Sequence, residues 1–294
     1  MPKSKKHNLV NLFSVKKSRK KALSDIRTRK LIYKTLKNKY MNYKESVWKR
    51  ILTEKDWEKY IDENWLDKNN KRDHGGYITP SEMKAIAGDN SILPSELPKL
   101  TMKDNITNIQ VPSCSYNSKQ YQKKYINTLR KFLLEFKTDI LELDLSLNGG
   151  GKTEVIASGL LPLFLLQKNK SLAYLENSRD KKKGVLNIVN GEIQNLPVKV
   201  KKIVKMPQIP KKIIVKMGNH TASAAEQIIL ALHVLRDVLD IEFTGNPTAG
   251  FTTWIDFINL PNGGTLEFPV GNITSIHGVK ARANSRIYPT DLNP

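Results

Sequence analysis

The stretch Ile213-Ile214-Val215-Lys216-Met217-Gly218-Asn219-His220-Thr221-Ala222-Ser223-Ala224-Ala225-Glu226 decides how the rest of the chain is read. Its apolar, β-branched opening predicts a strand over 213–217. Small residues follow, and an apolar periodic run then predicts a helix from Ser223 to about Leu239. A strand that turns through small residues into a helix leaves the Ser223 hydroxyl approachable. It also places that hydroxyl beside free backbone N–H groups and the positive end of the helix dipole. The plainer reading is a helix cap, with Ser223 as N-cap and Glu226 completing a capping box.

A second stretch has the same build: Leu143-Asp144-Leu145-Ser146-Leu147-Asn148-Gly149-Gly150-Gly151-Lys152-Thr153. A strand is expected over 139–147 and a helix over 154–167, with three glycines between. The loop looks like a phosphate-binding turn, but that pattern needs a glycine five positions before Gly151, where Ser146 stands. It also reads as a tight turn that requires glycine dihedrals, or as backbone N–H groups aimed at a developing oxyanion. Two such turns after strands of one sheet would together supply a nucleophile and an oxyanion hole.

Outward from these turns the alternation continues. Strands are expected at 106–111 and 241–244, and an amphipathic helix at 121–136. A hairpin joins Phe257–Leu260 to Thr265–Pro269 through Pro261-Asn262-Gly263-Gly264. This pattern predicts an α/β fold with a central sheet flanked by helices. Before it, residues 1–20 read as a flexible basic arm and 21–67 as a helical subdomain carrying Trp48, Trp57 and Trp65. Residues 68–105 read as a linker and cap, and 106–294 as the core domain.

Composition narrows the function classes. The chain has 294 residues and 39% hydrophobic content, enough to build a packed core. Its one cysteine, Cys114, excludes a disulfide framework and a four-cysteine zinc site. No apolar run reaches the ~18 residues of a membrane helix, and the basic N-terminus lacks the apolar segment of a secretory signal. The expectation is therefore a cytoplasmic, intracellular protein. The net charge of +21 is concentrated in residues 1–40 and 168–216, and the remainder is close to neutral. These blocks fit contact with an anionic surface, and no sequence-specific nucleic-acid module accompanies them.

Taken together, the motifs resemble the tail-specific, C-terminal processing serine peptidases. Leu143–Gly151 is similar to their D-L-R-x-N-x-G-G element, and Thr221-Ala222-Ser223-Ala224-Ala225-Glu226 to their T-A-S-x-x-E motif. Gly245-Asn246-Pro247-Thr248-Ala249-Gly250, the segment Leu260–Leu266, and Ile287-Tyr288-Pro289 follow in the family's order. The resemblance implies a crotonase-like core and peptide-bond hydrolysis near the C-terminus of a peptide or unfolded protein segment, with no cofactor or metal required. Phe251 stands where the Ser/Lys members carry their lysine, so the chain resembles the Ser/His branch typified by the nisin-resistance protein. Too little chain lies between Gly76 and Ile106 for a PDZ domain.

The resemblance implies Ser223 as nucleophile and His74, in Asp73-His74-Gly75-Gly76, as base; His220, close to Ser223 in sequence, is the second choice. It further implies an oxyanion hole from the backbone N–H of Ala224 and that of Gly149 or Gly150, supported by Asn148, Thr221 and Glu226. His7 falls in the tail. His233 lies about 15 Å along the helix from Ser223 at 1.5 Å per residue, too far to reach it. His277 is expected on the surface of a terminal hairpin. Two rival readings are a catalytically inactive peptide-binding relative and a phosphate or nucleotide binder built on the Gly149–Thr153 turn.

Overall fold

The computed structural model describes residues 26–39, 76–78, 96–115, 118–176, 183–201, 206–261, 263–280 and 285–293. The basic arm, most of the expected helical subdomain with its three tryptophans, and His74 lie outside the described residues. The chain divides into two compact units, one formed by 1–92 with 255–270 and the other by 93–254 with 271–294.

The second unit is built on a five-stranded sheet. Its strands β2 (Lys99–Lys103), β3 (Ile106–Gln110), β4 (Ile140–Asp144), β8 (Lys212–Met217) and β9 (Asp240–Gly245) lie side by side in that order. The last four run parallel, with Leu143 registered on Ile109 and on Val215, and β2 closes the edge antiparallel to β3. Parallel neighbours need crossover connections, and helices supply them. One is α2 (Lys119–Glu135), which buries Tyr125, Ile126, Leu129 and Leu133 at helical spacing. Another is α3 (Thr153–Gly159), continued by the short α4 (Leu161–Phe164). A third is α5 (Ala224–Leu232), followed by a 3-10 turn at His233–Asp237. Helix α3 packs on α2 and on α5.

Three features depart from the sequence-based expectation. The helix expected over 154–167 is interrupted at Leu160, where Pro162 re-starts a new turn. The helix expected to reach Leu239 ends at Leu232 and tightens into the 3-10 turn. The basic segment after 168, where no strand is expected, holds a second sheet. Strands β5 (Ser171–Glu176), β6 (Lys183–Val189) and β7 (Glu192–Ile193) form an antiparallel meander. Residues 272–275 of β11 (Thr265–Ser275) pair with β5, and α5 packs against β5. A single central sheet is thus corrected to two sheets with helices against them. Arg130 of α2 anchors the meander, donating to Glu192 at 2.9 Å and to the Ser158 carbonyl at 2.8 Å.

In the first unit, α1 (Ile26–Lys39) buries Ile32 and Leu36. There β1 (Gly76–Ile78) pairs antiparallel with residues 265–267, and β10 (Thr253–Asn259) pairs with β11. The expected turn is closed by Leu260 and Gly263. Among the described residues no helix is long and apolar enough to cross a membrane. The charged helix α6 (Pro289–Leu292) ends the described chain against β9.

His233 sits at the end of α5, away from Ser223 as expected, and is buried. It meets Ser275 Oγ at 3.1 Å and Arg236 at 3.2 Å. His277 lies against its ring with centroids 4.8 Å apart and contacts Asp237, while staying exposed at the surface as expected. Burial first, then the neighbouring His277 and Arg236, holds His233 down at about 4. The unfolded chain takes up this proton near the ordinary 6.5, so stability falls as pH drops from about 6.5 to 4. Thermal melts across that window should show His233→Asn losing about 5 °C less than the wild-type chain.

Candidate active site

The carboxyl ends of β4 and β8 are adjacent, and the two glycine-bearing loops leave the sheet side by side there. Thr221 ties them together and is fully buried. Its hydroxyl donates to the Leu145 carbonyl at 2.8 Å and accepts from the Gly218 N–H at 2.9 Å. The Ala222 N–H donates to the Asn148 carbonyl at 3.0 Å. A third loop, after β9, joins through the Ala249 N–H, which donates to the Thr221 carbonyl at 2.8 Å. The chain end closes the set: Thr248 and Ile287 exchange backbone and hydroxyl bonds of 3.0 and 2.9 Å.

Ser223 occupies the sharp turn into α5 with φ 54° and ψ −120°. A serine in that region is strained by roughly 1–3 kcal/mol and needs surroundings that hold it there. The capping box expected between Ser223 and Glu226 is present, but an ordinary N-cap has extended backbone, so capping alone does not account for this conformation. The holding group is Glu226, with 0% exposure. Its carboxylate accepts from the Ser223 N–H at 2.9 Å and the Gly250 N–H at 2.8 Å, and also from Thr248 and the Phe251 N–H. Burial still raises its pKa above the ordinary carboxylate value, against the opposing pull of these hydrogen bonds.

Asn148 performs the matching task for the glycine loop. It is fully buried, donates to the Val111 and Pro112 carbonyls at 2.9 and 3.1 Å, and accepts from the Gly150 N–H at 2.8 Å. The loop is fastened to segment 113–115 by Cys114 N–H to Gly150 carbonyl and Lys152 N–H to Cys114 carbonyl bonds, both 2.9 Å. Gly150 lies directly on the serine turn. A Cβ there would stand 2.8 Å from the Ala222 carbonyl oxygen and 2.8 Å from Ser223 Cβ. Upstream, Ser146 fills the family's arginine position and donates to Asp144 at 2.5 Å.

The expected site residues Ser223, Ala224, Gly149, Gly150, Asn148, Thr221 and Glu226 therefore converge, while His74 lies outside the described residues. His220 is exposed in the turn before Ser223. The backbone amides differ in availability. The Gly149 N–H donates to Ser113 Oγ at 2.8 Å and the Gly150 N–H to Asn148. The N–H groups of Gly151 and Ala224 donate to no group among the described residues. Gly151 was not singled out from sequence, although the third glycine of the run is where that signal lay. Its φ of +119° and the Cys114 carbonyl 2.2 Å from a built Cβ both require glycine.

Two rival chemistries fit poorly. A phosphate loop presents free N–H groups and a free Ser/Thr hydroxyl. Here two of the three glycine amides are engaged, and the Thr153 hydroxyl donates to Gln227 at 2.6 Å. Cys114 is buried, and burial pushes its thiol up to about 12, which leaves it protonated and unreactive at neutral pH.

A strained serine at a helix start, with two unengaged amides beside its turn, defines the class of a serine-type hydrolase. The chain belongs to peptidase family S41, whose model matches residues 105–290. It is accordingly a serine-type peptidase. Among solved structures, a lipoprotein from Streptococcus agalactiae is similar at 22% identity over 89% of each chain, with a TM-score of 0.67. A photosystem II D1 C-terminal processing protease matches at 16% identity over 66% of this chain and 47% of that one, TM-score 0.41. A comparison with curated proteins finds no match.

Proposed function

We propose that the chain hydrolyses peptide bonds with Ser223 as nucleophile and His74 as general base, near the C-terminus of peptide or unfolded protein substrates. The observation that carries the reading is the strained backbone of Ser223, fixed by the buried Glu226. In the first step the histidine accepts the hydroxyl proton while Ser223 Oγ attacks the scissile carbonyl carbon. The tetrahedral oxyanion is held by the Ala224 and Gly151 N–H groups, since those of Gly149 and Gly150 are already engaged. The histidine returns its proton to the leaving amine, and water then hydrolyses the acyl-enzyme by the same route.

The family and the pair of sheets support a crotonase-like core for this reading, and the tryptophan spacing in 21–67 supports a helical subdomain ahead of it. The basic segments 1–40 and 168–216 favour an anionic surface as a further partner, and an intracellular site of action remains part of the proposal.

The test is cleavage of a peptide library supplied both as free acids and as C-terminal amides. His74→Ala should lower kcat/KM by about 10³-fold or more, and His220→Ala by less than about tenfold. The reverse order would move the base to His220. Equal cleavage of acids and amides, at internal bonds, would remove the C-terminal preference.

A further inference from the structure

A polar cleft of about 300 Å³ opens within the larger unit, two of its lining residues following directly in the chain on partners of the nucleophile helix. Glu154 and Trp254 line it, with Leu175, Val185 and Leu186 as apolar lining and Lys183 contributing a second charge. Its walls are tied to the nucleophile helix through one buried side chain. Gln227, one turn after Ser223, accepts from the Thr153 hydroxyl at 2.6 Å and donates to the Thr253 carbonyl at 3.4 Å. Glu154 and Trp254 are the chain neighbours of those two partners.

The cleft is built rather than incidental. Leu186, in the middle of β6, has φ +51°, a genuine outlier for a bulky residue within a strand. Such strain persists where surrounding structure over-determines it, which is common at ligand clamps. The ladder holds on either side, with Ala173 registered on Val185 and Ser171 on Asn187. Asn187 is itself locked, accepting from Ser171 Oγ at 2.7 Å and donating to Gln194 at 3.1 Å.

Charge decides what such a cleft takes. Glu154 is half-buried and makes no ion pair or side-chain hydrogen bond among the described residues. Its place in the first turn of α3 suits a carboxylate, and it lines the cleft. Lys183 is exposed, so water and salt screen it more than they screen Glu154. An indole and an unpaired carboxylate lining one cleft suit a cation, which the ring takes on its face and the carboxylate at its head.

We propose that this cleft is a substrate subsite for a basic side chain, lysine or arginine, with Glu154 as its ion-pair partner and Trp254 as the surface its stem and charge lie on. The proposal rests on the peptidase reading of Ser223.

The experiment uses the full chain and a set of fluorogenic peptides that differ only in carrying arginine, norleucine or glutamate at each position flanking the scissile bond. At one position the wild-type chain should prefer arginine over norleucine by about fivefold in kcat/KM. Glu154→Gln should bring that ratio close to one, and Glu154→Lys should favour the glutamate peptide. Lys183→Ala should raise the arginine ratio, an effect that loss of folding does not produce. The same peptides bound to the Ser223→Ala protein, read by fluorescence anisotropy, repeat the comparison without turnover. Equal affinities or rates for arginine and norleucine peptides, or a ratio unmoved by Glu154→Gln, overturn the proposal. Cleavage that persists in Ser223→Ala instead overturns the peptidase reading of the site.

Discussion

Replacing Ser223 by alanine should abolish peptide hydrolysis, by about 10⁴-fold or more, while leaving the chain folded. Alanine keeps the Cβ and therefore keeps the backbone strain at φ 54°. Ser223→Gly separates the two roles of the position. Glycine adopts positive φ without the Cβ penalty, so this variant should be equally inactive yet melt about 2–4 °C higher. A serine kept only as a helix cap predicts no such gain, because glycine at a cap lowers stability by roughly a few tenths of a kcal/mol and alanine by about 1 kcal/mol. Paired melting curves and peptide assays on the two variants therefore distinguish a catalytic elbow from a cap.

The second large effect is expected at Gly150. An alanine Cβ there would meet the Ala222 carbonyl oxygen and Ser223 Cβ, each at 2.8 Å, and the Ala224 nitrogen at 3.1 Å. All three belong to the turn that aims the hydroxyl, and none is a flexible side-chain end. The position also has φ +103°, which an L-residue adopts only with strain. Gly150→Ala should thus displace the glycine loop from the serine turn, lower stability by about 2–3 kcal/mol, and reduce kcat by at least about 10²-fold. Gly191 is the natural control, with φ +77° and nothing within 4 Å of a built Cβ. There alanine should cost only the backbone strain.

The motifs were legible because each combines a periodicity change with residues that local geometry demands. Ile213–Met217 alternates as a half-buried strand, and Thr221 and Glu226 sit where the turn needs a buried hydroxyl and carboxylate. The departures have physical causes that a linear reading does not contain. Lysines crowd the segments flanking β5 and β6 and mask their apolar runs, and the pairing depends on partners distant in sequence, including residues 272–275. Strand β2 is mostly exposed and offers no apolar alternation. Glycine pattern alone predicts a cradle of amides. It does not reveal that Asn148 and Ser113 engage two of them and leave Gly151 unengaged. The strain at Ser223 is likewise invisible in a Thr-Ala-Ser-Ala-Ala-Glu string, which reads equally well as a capping box.

On this geometry Ser223 is an activated nucleophile. Its most direct test is reaction of the full chain with a fluorophosphonate, followed by peptide mapping in the mass spectrometer. A single adduct is expected on Ser223, formed in the wild-type chain, slowed by Gly150→Ala and absent from Ser223→Ala. An adduct that maps elsewhere, or a folded wild-type chain that never acquires one, would contradict it.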